Sequence, residues 1–268
     1  MPTTITALNL QEGLARPDRM LGVIERIKRL GSDVFVLTDA FSILNPKHNA
    51  NEDILGFALE VLNKEGYEFN SAEYEDDPPF HVDRHLVILS RLAIKQSGQI
   101  RLANRNGLAA SLVDQAQELT IIAVHLDDRS EANRQLQTQA VIEHVQFSQP
   151  TIIGGDFNSA LNHSFVRNLA ATSMTRSAAK FLPKPGLRSA IERGSTMASG
   201  ETMKIFYRAG LKEADPDRQA TFPAILPLLQ LDHILTTPQV NVVDFKRDVE
   251  WPHPSDHLAI TASVTVRD

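Results

Sequence analysis

Several apolar runs in this 268-residue chain end in residues that could do chemistry. The run TII (151–153) passes through Gly154-Gly155 into Asp156 and Asn158. Similar placements recur elsewhere. Asn9 lies near the end of ITALNL (5–10), Asp39 comes after DVFVL (33–37), and His125 follows LTIIAV (119–124). In the last part of the chain, LD (231–232) leads into His233, and Ser255, Asp256 and His257 precede the last apolar run. One such residue is typical of a cap or a turn, but the repetition indicates a site at the ends of strands.

The residue types in this set favour one kind of chemistry. Carboxylate and amide oxygens without thiolates suit Mg²⁺, which is held by one or two carboxylates and keeps waters that a phosphate can replace. Histidines add proton transfer near neutral pH and hydrogen bonds to a phosphate that gains charge. We therefore predict metal-assisted hydrolysis of a phosphate ester. If the chain stays extended past the glycines, Asp156 and Asn158 should point to the same side.

Composition excludes several other classes. The chain has no cysteine, which removes disulfides, zinc-thiolate sites and thiol catalysis. Its formal net charge is -6, so no global positive field gathers nucleic acid, and 6% aromatic residues with one tryptophan argue against a broad stacking surface. With no signal-peptide pattern and no apolar run of bilayer length, we expect a soluble, cytoplasmic protein without membrane insertion.

The elements that must position these residues are mixed. Apolar spacing predicts helices over 17–30, 51–65, 130–146 with Ser130 as N-cap, 160–181 and 199–208. It predicts strands over 5–10, 33–37, 86–90, 107–113, 119–124 and 151–153, and two more from 231 and 258, with turns at Ser97-Gly98 and Asn106-Gly107. The serial strands suggest antiparallel pairing. Without a linker or repeat, we expect one domain (1–268) of two packed sheets with helices outside.

Taken in order, these motifs resemble the endonuclease/exonuclease/phosphatase superfamily over essentially the whole chain. The matching segments are Asn9, LTDA (37–40), HLVILSR (85–91), AVHL (123–126), Arg134-Gln135, GGDFN (154–158), AGLKEA (209–214), TFP (221–223), LDHIL (231–235) and SDH (255–257). The resemblance implies a DNase I-like four-layer α/β/β/α sandwich of two mixed, mainly antiparallel sheets, with a hydrolase cleft at one edge.

The same resemblance implies roles for individual residues. Asn9, Asp39 and Asp256 would surround Mg²⁺, with Mn²⁺ as an alternative cation. Asp156 and Asn158 would position the attacking water and the scissile phosphate. His257, oriented by Asp232, would contact the phosphate or help activate water, and His125 would stabilise the phosphoryl oxygens or the leaving group.

One departure from the family pattern concerns the metal. The second motif usually ends in Gln-Glu, whereas this chain has Thr38-Asp39, so the principal carboxylate is one methylene shorter. A catalytically weakened member that only binds a phosphate ligand is therefore the alternative to an active enzyme. A Zn²⁺ hydrolase is disfavoured because the histidines lack close metal-ligand spacing.

The substrate stays open at this level. A nucleic acid or a small phosphorylated molecule would suit the predicted chemistry, and we expect the protein to act as a monomer. The basic stretch 174–208 lies between two of the site motifs, so we expect it to shape the substrate cleft.

Overall fold

The computed structural model describes residues 1–11, 13–15, 17–40, 52–72, 86–114, 117–160 and 196–267. Its strands are β1 (Thr3–Asn9), β2 (Val34–Thr38), β3 (Glu68–Ala72), β4 (Leu86–Ser90), β5 (Ala93–Leu102), β6 (Arg105–Asp114), β7 (Gln117–His125), β8 (Thr151–Asp156), β9 (Lys212–Glu213), β10 (Asp232–Thr236), β11 (Val240–Arg247) and β12 (Ile260–Val266). The helices in these ranges are α1 (Pro17–Leu30), α2 (Glu52–Lys64), α3 (Glu131–His144) and α4 (Glu201–Arg208). The predicted helix over 160–181 and most of the basic stretch lie outside the described residues.

The strands form two six-stranded sheets. The first has the order β11-β12-β1-β2-β4-β3 and the second β5-β6-β7-β8-β10-β9. Each sheet has one parallel pair, β1 with β2 and β7 with β8, and is otherwise antiparallel. Two mixed sheets flanked by helices are what the resemblance implied. Of the serial strands predicted over 86–90, 107–113 and 119–124, β6 and β7 pair antiparallel as expected, whereas β4 lies in the other sheet.

Alternation along the central strands separates three apolar layers. Ile5, Val36, Ile121 and Ile152 face the space between the sheets and form one buried cluster. The intervening residues face outward: Phe35 and Leu37 pack with α1 and α2, whereas Ile122 and Val124 pack with α3 and α4. Because both faces are covered, central strands such as β2 and β4 are apolar at all but one position, which is why they stood out in the sequence.

The helices confirm the periodicity in the sequence. Helix α1 begins at Pro17 and ends at Leu30, as predicted, and the bounds of α2, α3 and α4 differ from expectation by at most two residues at either end. Ser130 is the N-cap of α3, and its hydroxyl accepts a hydrogen bond from the Asn133 N–H at 3.2 Å. Over the ranges that the structure describes, no helix combines the length and hydropathy of a membrane span.

Two predicted turns are wrong. Strand β5 runs through Ser97-Gly98, and β6 contains Asn106-Gly107, while the turn between the two strands lies at 103–104 with Ala103 at a φ of 55°. The polar sequence of β5 gave no strand signal because it is the outermost strand of its sheet and most of its side chains are exposed. A glycine in an edge strand is tolerated, since it leaves the pairing intact.

Gly155 tests the backbone geometry on which the site depends. It has a φ of 136° within β8, and an added Cβ would lie 2.0 Å from the Val124 carbonyl oxygen. We expect Gly155→Ala to lower the free energy of unfolding by about 3 kcal/mol or more, because strain and a backbone clash coincide. Urea unfolding followed by circular dichroism measures the change.

Gly98 is the matched control for this substitution. It also lies within a strand, but an added Cβ there meets nothing within 4 Å. We expect Gly98→Ala to change the free energy of unfolding by no more than about 0.5 kcal/mol. Equal losses in the two variants would contradict the geometry of β8.

Candidate active site

One edge of the sandwich collects the residues singled out in the sequence. The parallel strands β1 and β2 end there at Asn9 and Thr38, and Asp39 follows directly. In the other sheet, β7 and β8 end at His125 and Asp156, which are register partners. Strand β10 starts at Asp232 opposite Asp156, and the segment 255–257 leads into β12 beside β1. The ends of six strands thus converge, four by their carboxyl ends and two by their amino ends.

The Asp156 carboxylate is the centre of this arrangement. Its Oδ2 accepts a hydrogen bond of 2.9 Å from Asn9 Nδ2, which comes from the opposite sheet. The same oxygen lies 3.7 Å from His125 Nε2 and 3.9 Å from His257 Nε2. Burial raises the pKa of Asp156 above its ordinary value, and the two histidines offset this only in part.

His257 and Asp232 form a buried pair beside it. His257 Nδ1 lies 2.8 Å from Asp232 Oδ2, so the ring donates to that carboxylate and directs Nε2 towards Asp156. Burial alone would lower the pKa of His257, but the carboxylates of Asp232, Asp156 and Asp256 outweigh it and raise the pKa to about 10. The orientation of His257 by Asp232 agrees with the role that the resemblance implied.

His125 lies between two carboxylates. Its Nδ1 is 3.3 Å from Asp39 Oδ1, and its Nε2 faces Asp156, as described above. The ring is 2% exposed, so its contacts are internal to the site. Asp39 has a φ of 46°, a left-handed conformation that aspartate and asparagine adopt more readily than most residues. The short side chain at this position therefore suits both the backbone and the histidine.

The extended geometry expected at Asp156 and Asn158 is wrong. Strand β8 ends at Asp156, and Asn158 has a φ of 48°, so strand alternation does not relate the two side chains. Instead, the Asn158 N–H donates to Asp156 Oδ1 at 2.8 Å, and its side-chain Nδ2 donates to the Leu126 carbonyl at 3.0 Å. Asn158 thereby fixes the turn that presents Asp156, because its side chain ties the ends of β7 and β8 together.

Two sets of residues come into question for a cation. Asp156, Asp232 and His257 offer ligand atoms that lie within 4.8 Å of one another, but Asp232 and His257 already bond to each other. The predicted set is Asn9, Asp39 and Asp256. Gln11 joins two of its members: its N–H donates to Asn9 Oδ1 at 2.9 Å, and its Nε2 donates to Asp256 Oδ2 at 3.0 Å.

The chemistry of the predicted set fits Mg²⁺. Asn9, Asp39 and Asp256 supply one amide and two carboxylate oxygens, which are the hard ligands that this ion prefers. Asn9 is buried, whereas Asp39 and Asp256 are partly exposed, so an ion held there would keep access to water. A cation at this position would also offset the negative charge of the two carboxylates. This set and the Asp156–Asp232–His257 cluster are thus the two groups of described residues considered for a cation.

A second histidine–carboxylate pair, His233 with Glu213, lies behind the site. The sequence did not indicate that these two residues are in contact. The fully buried His233 ring has Nδ1 at 2.7 Å from Glu213 Oε2 and Nε2 at 2.9 Å from the Ser159 carbonyl. The Ser159 carbonyl can only accept, so Nε2 carries a hydrogen, and with an ionised Glu213 as acceptor Nδ1 carries a second one, which makes the ring a cation. Burial would lower the pKa of His233, but Glu213 and the Ser159 carbonyl outweigh it and raise the pKa. The pair therefore ties β9 and β10 to the segment that follows Asn158.

Arginines support the loops around the site. Arg26 of α1 is buried and donates to the carbonyls of Glu250 and Pro252 at 2.6 and 3.1 Å, which holds the segment before Asp256. Arg134 of α3, which resembled the family pattern, donates to the Asp127 carbonyl at 2.7 Å and supports the segment after His125. No spacing in the sequence relates Arg26 to the 248–254 loop, because the two are more than two hundred residues apart.

Comparison with known proteins identifies the class to which this fold and site belong. The model of the Endonuclease/Exonuclease/phosphatase family matches residues 7–257, and the chain belongs to that family. A comparison with curated proteins gave no match.

Solved structures with low sequence identity share the fold. An endonuclease/exonuclease/phosphatase from Beutenbergia cavernae superposes with a TM-score of 0.72 at 17% identity, covering 99% of this chain and 72% of the other. The human Nocturnin catalytic domain with bound sulfate gives 0.66 at 18% identity and covers 99% and 93% of the two chains. The mannosyl-6-phosphatase of Bacteroides thetaiotaomicron gives 0.63 at 16%, covering 98% and 99%. At these identities the likeness establishes the DNase I-like fold.

The charge on His233 has a measurable consequence for stability. Its pKa is raised in the folded state, so the stabilisation is fully present below the unfolded-state pKa of about 6.5 and is lost as pH rises through the folded-state pKa. Above pH 6.5 we expect this histidine to reduce the free energy of unfolding by up to about 1.4 kcal/mol per pH unit. His233→Gln should remove that part of the slope.

Urea unfolding between pH 6 and pH 9 measures the two slopes. His257 has a raised pKa of the same sign and stays in both proteins, so the difference between wild type and His233→Gln isolates His233. Parallel stability curves over this range would show that the buried ring is neutral, which contradicts the double donation.

Proposed function

We propose that this protein is a Mg²⁺-dependent hydrolase of phosphate esters. The observation that carries the proposal is the buried Asp232–His257 pair, whose free ring nitrogen faces the Asp156 carboxylate beside a set of three oxygen ligands. Membership of a family named for nucleases and phosphatases supports the reaction class. Asn9, Asp39 and Asp256 would hold the cation, which supplies charge stabilisation to the phosphate when bound.

Asp156 and His257 divide the acid and base work. Asp156 accepts a proton from the attacking water, and the raised pKa of this carboxyl brings it closer to the neutral range that a general base requires. His257, held protonated by Asp232, donates from Nε2 to a phosphoryl oxygen that gains charge during attack. The water oxygen bonds to phosphorus, and the ester oxygen departs.

Asn158 and His125 keep these groups in place. Asn158 bonds to Asp156 Oδ1, which leaves Oδ2 directed at Asn9 and the two histidines. His125 lies between Asp39 and Asp156, where its ring can screen one carboxylate from the other. Preorganised groups of this kind contribute because they need not reorient during the reaction.

A small phosphate ester suits the surroundings better than a polynucleotide. The net charge is -6, and three arginines near the site are engaged with backbone carbonyls: Arg19 with Leu10, Arg105 with His125 and Arg134 with Asp127. A polynucleotide binds chiefly through lysine and arginine contacts to phosphates. A mannosyl-6-phosphatase is among the solved structures with a similar fold, which supports that choice.

Substitution of the acid and base groups tests the reaction. With bis-p-nitrophenyl phosphate and Mg²⁺ we expect turnover that EDTA abolishes and that Mg²⁺ restores. His257→Ala and Asp156→Asn should each lower kcat/KM by about 10²- to 10⁴-fold, because each removes a proton-transfer or hydrogen-bonding group. The absorbance of the released p-nitrophenolate follows the rate.

Asp244→Ala is the control for loss of a carboxylate. Asp244 lies on β11, is 53% exposed and pairs only loosely with Lys246. Its removal should leave kcat/KM within about twofold of wild type. Binding of inorganic phosphate without turnover of any ester would instead favour the alternative of a phosphate-binding module.

Asp39 tests where the cation binds. We expect Asp39→Asn to weaken Mg²⁺ binding by about tenfold or more, since it removes one of two carboxylate charges, whereas His257→Gln should leave the affinity within about threefold. Isothermal titration calorimetry of Mg²⁺ into each protein measures the affinity without any substrate. If His257→Gln and Asp232→Asn weaken binding more than Asp39→Asn does, the cation lies on the Asp156–Asp232–His257 cluster instead.

A further inference from the structure

An uncharged hairpin stands directly beside the candidate active site. The ten residues TFPAILPLLQ (221–230) contain no charged side chain, in a chain of which 22% is charged. The backbone folds back on itself: the N–H groups of Thr221 and Phe222 both donate to the Leu229 carbonyl, and the Leu229 N–H donates to the Phe222 carbonyl. We call residues 221–230 the apolar hairpin.

The base of the apolar hairpin is tied to both halves of the site. The Thr221 hydroxyl accepts hydrogen bonds from the N–H groups of Leu231 and Asp232 at 3.1 and 3.2 Å. On the other side, the Ala224 N–H donates to the Asp256 carbonyl at 2.6 Å, and the Leu258 N–H donates to the Thr221 carbonyl. The hairpin therefore bridges the start of β10 and the segment that precedes β12.

The aromatic residue of the apolar hairpin, Phe222, contacts His257. The Phe222 ring lies 4.8 Å from the His257 ring, centroid to centroid, at an interplanar angle of 46°. The hairpin thus forms one wall beside the histidine that we assign to the phosphoryl group. A substrate whose phosphorus lies near His257 has part of its remaining surface next to this wall.

The tip of the apolar hairpin is apolar and open to solvent. Ile225 is 81% exposed and Leu226 is 63% exposed, and the Leu226 N–H donates to the Pro223 carbonyl, which closes the tip into a turn. These two adjacent aliphatic side chains, held in place by the hydrogen-bonded turn, expose an apolar surface that a short hydrocarbon chain could cover. Because no charge lies in the hairpin, a polyanionic strand gains nothing by following it.

We propose that the apolar hairpin is the recognition element for a hydrophobic substituent of the phosphate ester, so that the substrate class is a phosphate ester with an alkyl or similar apolar group. The inference rests on the proposed function, because it takes the phosphate to lie at Asp156 and His257. The occupant is part of the substrate, since the hairpin is continuous with the site through Phe222 and Ala224. A lipid bilayer is the less suitable occupant because the hairpin carries no lysine or arginine to meet anionic headgroups.

A pair of phosphonates measures recognition without turnover. Methylphosphonate and hexylphosphonate share the anionic group and differ by five methylenes, each of which is worth about fourfold in affinity when fully buried. With Mg²⁺ present, we expect calorimetry to show that the wild type binds hexylphosphonate at least about tenfold more tightly than methylphosphonate, because the hexyl group would be partly buried on the hairpin. The double variant Ile225→Ser/Leu226→Ser should reduce that ratio to about threefold or less, with the methyl affinity unchanged.

Val243→Ser is the matched control. Val243 lies on the edge strand β11 and is 55% exposed, so its substitution removes exposed aliphatic surface away from the hairpin. The control should keep the wild-type ratio. Thermal melts by circular dichroism should show all three proteins folded, since the substituted side chains are exposed.

Assays of turnover distinguish a failure of this inference from a failure of the proposed function. Hydrolysis of methyl p-nitrophenyl phosphate and of its hexyl analogue releases the same leaving group, so their kcat/KM ratio reports recognition of the alkyl group alone. Turnover with no hexyl preference in either assay overturns the role of the apolar hairpin and leaves the proposed function standing. A hexyl preference in binding, lost in the double variant, with no turnover of either ester would sink the proposed function and support the hairpin.

Two further outcomes count against the inference. A double variant that keeps the hexyl preference overturns it, as does failure of the wild type to bind either phosphonate. Sedimentation of the wild type, but not of the double variant, with neutral phosphatidylcholine vesicles would assign the tip to a membrane surface in place of a single substrate chain.

Discussion

The hydrogen bond from Asn9 Nδ2 to Asp156 Oδ2 joins the two sheets at the edge where the candidate site lies. Asn9 ends a strand of one sheet and Asp156 ends a strand of the other, so this contact fixes how far apart the two sets of strand ends stand. Both residues are almost fully buried, where an unpaired amide or carboxylate would be costly. The position of Asn9, Asp39 and the 255–257 segment at one sheet relative to Asp156 and Asp232 at the other therefore depends on it.

Charge balance explains why the site can be so deeply buried. Asp156, Asp232 and Glu213 are buried or nearly so, and each faces a histidine nitrogen across 2.7 to 3.9 Å. The histidines alternate with the carboxylates, which reduces the cost of desolvating either charge. The outer carboxylates, Asp39 and Asp256, are more exposed and lie where the cation would bind. Burial thus separates the groups proposed for proton transfer from those proposed for the cation.

The position of a strand within its sheet determines whether the strand could be predicted from the sequence. Central strands such as β2, β7 and β8 are covered on both faces, so their apolar runs were evident. The four strands that the sequence did not indicate, β3, β5, β9 and β11, are the edges of the two sheets. An edge strand carries polar or mixed residues because it meets solvent, and its pairing depends on backbone groups that no side-chain pattern reports.

The candidate site divides in the same way between predictable and hidden features. Residues at the ends of central strands, such as Asn9, His125 and Asp156, could be found because a polar residue after an apolar run is visible in one dimension. Contacts made across the fold left no such signal: Gln11 reaches Asp256, and Arg26 reaches the carbonyls of the 250–252 segment. Those partners are distant in sequence, and only packing of α1 and the strands brings them together.

The backbone at the site imposes a further constraint on residue type. Gln11, Asp39 and Asn158 all have φ values between 46° and 48°, and each follows the end of a strand. The chain turns away from the sheet at each of these positions, and a residue in the left-handed conformation makes such a turn short. At 39 and 158 the side chains that tolerate this conformation, aspartate and asparagine, are also oxygen donors.

This coincidence accounts for the departure at Asp39. The shorter carboxylate meets the demand of a left-handed φ and reaches His125 Nδ1 at 3.3 Å, while Gln11 on the neighbouring strand end holds Asn9 and Asp256. A longer side chain at 39 would gain reach towards a cation but would lose the conformational preference, because enrichment in this region is confined to a few residue types. The residue at 39 is therefore constrained as much by the turn that follows β2 as by the reach that a cation would require.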